Sequence, residues 1–125
     1  MNMSDVFLSV HDNAGRYLKV CDNIKNVTGY EKSDVIGKSA YEFFHPKCVE
    51  NILESHLSRS LSIVTYIILG KDGSPIYMNT ISFKSVSAGS DLGDEIYCFN
   101  RKMSKLEVIL YKINKKISEY VKSRN

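Results

Sequence analysis

The chain has 125 residues, 43% of them hydrophobic and 25% charged, with a net charge of +3. That length fits one domain with enough core to fold alone, and that apolar content excludes disorder over most of the chain. The charge is split: residues 1–100 carry nine basic and twelve acidic side chains, net −3, whereas residues 101–125 carry eight and two, net +6.

Residues 6–10 (Val-Phe-Leu-Ser-Val) are rich in β-formers and predict a strand. Asp12-Asn13-Ala14-Gly15 is turn chemistry, so residues 16–21 return as the second strand of a hairpin. Residues 22–37 predict short helical pieces, with Ser33 and Asp34 as caps and Gly29 and Gly37 as stops. Residues 41–44 form a short aromatic segment halted by His45-Pro46. In residues 48–59, Val49, Ile52, Leu53, His56 and Leu57 share one face at helical spacing. The β-branched run 61–69, the turn Lys71-Asp72-Gly73-Ser74 and the run 76–86 predict a second hairpin, with Tyr77, Asn79, Ile81 and Phe83 on one side. A polar Gly/Ser loop (87–94) leads to a last strand at 95–100. Two strands, short helices, a longer helix and three strands make an α+β fold with an antiparallel sheet.

The basic tail has a different period. Met103, Leu106, Leu110, Ile113, Ile117 and Tyr120 are spaced 3, 4, 3, 4, 3. This heptad stripe, free of Pro and Gly, predicts an amphipathic helix over 103–123, and Ile109 and Val121 widen it. It suits docking on a protein surface or pairing with a second copy. The lysines outside the stripe admit three readings: a solvated face, phosphate contact with nucleic acid, or a membrane surface.

The longest charge-free apolar run, 61–70, has ten residues, too short for the roughly 20 of a membrane span. The first residues lack the pattern of a signal peptide. Cys21, Cys48 and Cys98 are odd in number and widely spaced, which implies a reducing intracellular setting, nuclear or cytoplasmic. There is no Gly-rich phosphate loop, no Gly-x-Ser-x-Gly elbow, no His-Glu-x-x-His and no metal-ligand spacing, so no enzyme is expected.

The strand order, Gly-Tyr-Glu-Lys-Ser-Asp-Val-Ile-Gly-Lys-Ser at 29–39 and His45-Pro46 after a short aromatic helix resemble a PAS domain over residues 5–102. The likeness is nearest to the second PAS repeat of basic helix-loop-helix PAS transcription factors, such as the hypoxia-inducible factor alpha subunits and their nuclear translocator partner. It rests on Phe7-Leu8-Ser9-Val10-His11, Gly37-Lys38-Ser39-Ala40-Tyr41-Glu42-Phe43-Phe44-His45, Lys71-Asp72-Gly73 and Ile96-Tyr97-Cys98-Phe99-Asn100. No basic helix-loop-helix precedes the domain in these residues, and either a free-standing protein or a fragment of a larger one is compatible with that.

The resemblance implies a five-stranded antiparallel sheet with short helices on one face. It places the family's internal cavity at Ser9, His11, Tyr17, Ala40, Phe43, Phe44, Ile52, His56, Tyr66, Thr80, Cys98 and Asn100. These side chains either surround a small-molecule site or simply fill the core. Ala40, followed by Tyr41-Glu42-Phe43-Phe44, stands where flavin-binding relatives place a reactive Cys, which disfavours that photochemistry. His56 is either a haem ligand or a hydrogen-bonded core residue. No cofactor is predicted; a small apolar ligand or haem is the alternative. The leading expectation is a non-enzymatic sensor and interaction module that pairs through its sheet with itself or another PAS domain. The heptad helix would assist the pairing, and nucleic acid association through the basic tail is a further alternative.

Overall fold

The computed structural model describes residues 3–45, 61–85 and 95–124. The expected helix at 48–59, with Ile52 and His56, and the loop at 87–94 lie outside the described residues. A 3-10 turn, Met3–Asp5, leads into β1 (Val6–His11), and β2 (Tyr17–Val20) pairs back on it. The short helices α1 (Ile24–Thr28) and α2 (Lys32–Val35) and a 3-10 turn (Ala40–Phe43) follow. Then come β3 (Leu61–Leu69), β4 (Pro75–Ser85), β5 (Glu95–Lys102) and the long helix α3 (Lys105–Ser123). The sheet is antiparallel, in the order β2-β1-β5-β4-β3.

Local chemistry explains the turns. Asp12 Oδ1 accepts from Ala14 N and Arg16 N, both at 2.9 Å, which closes the first hairpin. Gly15 follows with φ +83°, where a side chain would be strained and a Cβ would stand 2.7 Å from the Tyr41 ring. Gly29, at φ +84°, terminates α1 as its left-handed cap. One expectation is refined: Ser33 lies inside α2, whose N-cap is Glu31, while Asp34 at the third position does cap it, its carboxylate accepting from Glu31 N at 2.8 Å in a reciprocal box. A carboxylate at the N-cap serves the same exposed N–H groups that Ser would.

Alternation along the strands separates two faces. On β4, Ile76, Met78, Thr80 and Ser82 are buried under the helical side, while Tyr77, Asn79, Ile81 and Phe83 point the other way, as the sequence predicts. The core between sheet and helices joins Phe7, Tyr17, Ile24, Val27, Val35, Phe44, Tyr66, Ile68 and Met78. Helix α3 begins with a capping box in which Ser104 Oγ accepts from Glu107 N and Glu107 Oε1 accepts from Ser104 N.

Candidate functional site

Among the described residues two features stand out first: a polar chain inside the core and an apolar surface outside it. The inward positions of four adjacent strands bring Ser9 and His11 (β1), Asn100 and Cys98 (β5), Thr80 (β4) and Tyr66 (β3) together. Asn100 is the hub. Its Nδ2 donates to Phe7 O at 3.1 Å and Ser9 Oγ at 2.9 Å. Its Oδ1 accepts from Thr80 Oγ1 at 2.9 Å and from Tyr66 Oη at 3.3 Å. Tyr66 Oη and Thr80 Oγ1 are 2.7 Å apart. Ser9 Oγ lies 2.8 Å from His11 Nε2, and His11 Nδ1 lies 3.2 Å from Gly15 O. A carbonyl only accepts, so in the neutral ring Nδ1 carries the proton and Nε2 accepts from the Ser9 hydroxyl. The bonds then run in one direction, from the Asn100 amide through Ser9 and His11 to the Gly15 carbonyl. Burial pushes the Tyr66 and Tyr17 hydroxyls well above their ordinary range and the Cys98 thiol up to about 12, so all three stay protonated.

This chain borders a cavity of about 20 Å³, room for roughly one water. Of the residues expected there, His11, Tyr17, Ala40, Phe44, Tyr66, Thr80, Cys98 and Asn100 line it. Ser9 sits one hydrogen bond behind His11 and Asn100. Phe43 does not line it: its ring packs edge-on against Tyr30 at 5.0 Å and Tyr17 at 6.1 Å. A 3-10 turn advances about 120° per residue, so neighbouring aromatics face different ways. Gly15, Tyr41 and Ile96 also line the cavity, beyond the positions that the resemblance implies. Ile96 was legible, since it alternates inward with Cys98 and Asn100. Both ring nitrogens of His11 are already engaged, and His56, the candidate haem ligand, lies outside the described residues. Among the described residues no group of three metal-ligating side chains occurs.

The outer face of the sheet is apolar across four strands. Leu8 stands opposite Phe99, Phe99 opposite Ile81, and Ile81 opposite Ile63. Ile63 is 68% exposed, Leu8 55% and Phe83 52%, and Phe83 stacks on Tyr97 at 5.3 Å. Helix α3 covers only one end of this face. The Arg101 guanidinium grips the Glu107 carboxylate, Met103 N donates to Tyr77 O at 2.9 Å, and the Tyr77 and Tyr111 rings meet at 6.0 Å. Val108 and Tyr111 thus turn toward the body, and every described residue from Lys112 onward is exposed. The heptad residues Leu106, Leu110, Ile113, Ile117 and Tyr120 face solvent, while Met103 is half-buried. No helix among the described residues is long and apolar enough to cross a membrane.

This sheet order, with its small internal cavity and apolar outer face, matches a PAS domain: the PAS domain family model fits residues 4–107, and the chain belongs to that family. Within the family it is similar to the Aryl hydrocarbon receptor nuclear translocator homolog of Drosophila melanogaster, 23% identical over 104 residues, covering 79% of this chain but only 16% of that protein. Among solved structures it is similar to the Drosophila Cycle PAS-B domain with bound ethylene glycol and to a variant with bound glycerol. Each is 25% identical with a TM-score of 0.69, over 78% of this chain and 99% of theirs. The PAS domain of an HTR-like protein from Haloarcula marismortui shares the fold, with a TM-score of 0.67 at 18% identity, over 81% of this chain and 86% of that one.

Proposed function

We propose that the chain is a non-enzymatic PAS interaction and sensing module that pairs with a second copy or another PAS domain in intracellular signalling or transcriptional regulation. The observation that carries this reading is the row of exposed Leu8, Ile81 and Ile63, with half-buried Phe99 between Leu8 and Ile81, on the outer face of the sheet. Contiguous apolar surface of this kind marks an association site. Helix α3 rests by Tyr111 on Tyr77 of the same face, and its exposed seam is a second apolar surface that would assist the pairing. Similarity to a nuclear translocator homolog and to Cycle PAS-B supports a regulatory, intracellular or nuclear setting. Sedimentation tests the proposal: the wild-type chain forms dimers, and Ile63→Asp with Ile81→Asp shifts it to monomer. A monomeric wild type, or a dimer indifferent to both substitutions, overturns self-pairing.

A second reading, a small-molecule sensor, is favoured by the polar wall of the core cavity and by the ethylene glycol and glycerol bound in Cycle PAS-B. At about 20 Å³ the cavity must widen to take even a diol. Ligand binding would then act by shifting the packing of the sheet and so the association state. Thermal denaturation with and without ethylene glycol tests it: saturable stabilisation that Thr80→Val removes supports it, and a response identical in the variant discards it.

A further inference from the structure

Between the start of β4 and the first turns of α3 runs an open groove of about 370 Å³. Pro75, Ile76 and Tyr77 form one wall, and Met103, Val108 and Ile109 the other. Lys102 and Lys105 stand on its rim. Lys105, Ile109 and Lys112 fall at i, i+4 and i+7, on one flank of α3. The Lys112 ammonium sits 5.4 Å from the centre of the Tyr77 ring. Lys25 and Lys71, just beyond Ile76, are neutralised by Glu31 at 2.7 Å and Asp34 at 3.1 Å. Lys102, Lys105 and Lys112 have no ion pair among the described residues. The groove is therefore apolar inside with three uncompensated cations around it.

We propose that this groove docks an acidic, apolar peptide segment of a partner protein, with Leu- or Phe-like side chains in the groove and Asp or Glu against Lys102, Lys105 and Lys112. Charge complementarity selects this occupant. A second copy of the chain is disfavoured: the tail beside the groove is itself net +6, and although residues 1–100 are net −3, Asp12, Asp22, Glu31 and Asp34 there, like Glu107 in the tail, already hold a basic partner in their own chain. Nucleic acid would meet the lysines but leave the apolar walls uncovered, which gains little. The site lies at the α3–β4 junction, so it is separate from the outer-face row proposed for pairing.

Selection from a random-peptide phage library on the immobilised chain tests the proposal. The enriched peptides are expected to combine Asp or Glu with Leu or Phe. Their affinity should fall on the order of tenfold in Lys102→Glu with Lys105→Glu, because reversed rim charges repel them. It should be unchanged in Leu110→Asp with Ile113→Asp. Both lysines are exposed, so the folded state of the double variant is checked by its amide spectrum. In the wild type the amide resonances of Ile76, Val108 and Ile109 should shift on peptide addition. Enrichment of basic or uncharged peptides, no enrichment, affinity indifferent to the charge reversal, or dimerisation abolished by it would overturn the proposal.

Discussion

Arg101 and Glu107 are joined by two parallel hydrogen bonds, Nη1 to Oε1 and Nη2 to Oε2, each 2.7 Å. The first residue lies one before the end of β5 and the second in the first turn of α3, so this fork sets the direction in which α3 leaves the body. The same carboxylate also accepts from Ser104 N at 3.0 Å. One side chain thus closes both the helix cap and the connection to the sheet.

Removing the fork should loosen the helix without unfolding the body. For Arg101→Ala we expect a loss of about 0.5–1 kcal/mol, since the pair is partly exposed and screened. Ser104→Ala should cost about 1 kcal/mol as a lost cap. Hydrogen exchange should quicken over 105–111 in both variants while Met78 and Thr80 keep their protection. Uniform loss across the sheet would show that α3 is integral to the core.

The fork also has a pH signature. The Arg101 guanidinium, then the Ser104 N–H, holds the Glu107 carboxyl down to about 2, from an ordinary 4.5. A depressed carboxylate contributes its stability fully above the unfolded value, and the contribution is lost as pH falls toward the folded one. The α3 anchor should therefore be intact at neutral pH, weaken below about 4.5 and be gone near 2. Amide shifts of Ser104 and Glu107 followed in acid titration check this. Glu107→Gln should flatten the transition, and a transition unchanged in that variant would assign it to another group.

Within the core, Asn100 and Tyr66 should behave unequally. Asn100→Ala strips Ser9, Thr80 and the Phe7 carbonyl of a buried partner and should cost about 2–3 kcal/mol. Tyr66→Phe leaves the Thr80–Asn100 bond at 2.9 Å in place and should cost about 1 kcal/mol. Urea denaturation measures both. Equal costs would mean that the network does not converge on Asn100.

Gly15→Ala should destabilise by about 1–3 kcal/mol, through its positive φ and the close Tyr41 ring. Gly73→Ala shares the positive φ but meets nothing within 4 Å, and should cost less. Thermal melts of the pair separate backbone strain from the contact with Tyr41. A Gly73 variant as damaged as the Gly15 variant would leave that contact without weight.

Leu110→Asp with Ile113→Asp should lower the dimer fraction in sedimentation while leaving the melting temperature nearly unchanged, because both side chains face solvent. An unaltered mass distribution would remove α3 from the pairing surface.

The strands were legible because period-2 alternation and β-branched runs are local signals, the first seen in Ile76 to Phe83 and the second in Leu61 to Leu69. The inward set His11, Thr80 and Asn100 was reached through family likeness, because polar residues in a strand carry no mark of which face they occupy. The capping role of Glu31 was hidden, since Ser33 is the commoner capping type and only the fold decides where the helix starts. The heptad in α3 announced a seam. Its sequence did not say that the opposite side, Val108 and Tyr111, would be the one resting on the body. That outcome depends on Tyr77, distant in the chain, and on the turn at Ser104.

A helix held only at its base is a lever. Among the described residues, the contacts of α3 with the body run no further than Lys112 over Tyr77, and every described residue beyond it is exposed. Ser123 stands 16 residues beyond Glu107, roughly 24 Å along the axis, so a tilt of about 10° at the Arg101–Glu107 hinge moves the far end by roughly 4 Å. Small changes in sheet packing near β5 are thereby magnified where Ile117 and Tyr120 present their side chains.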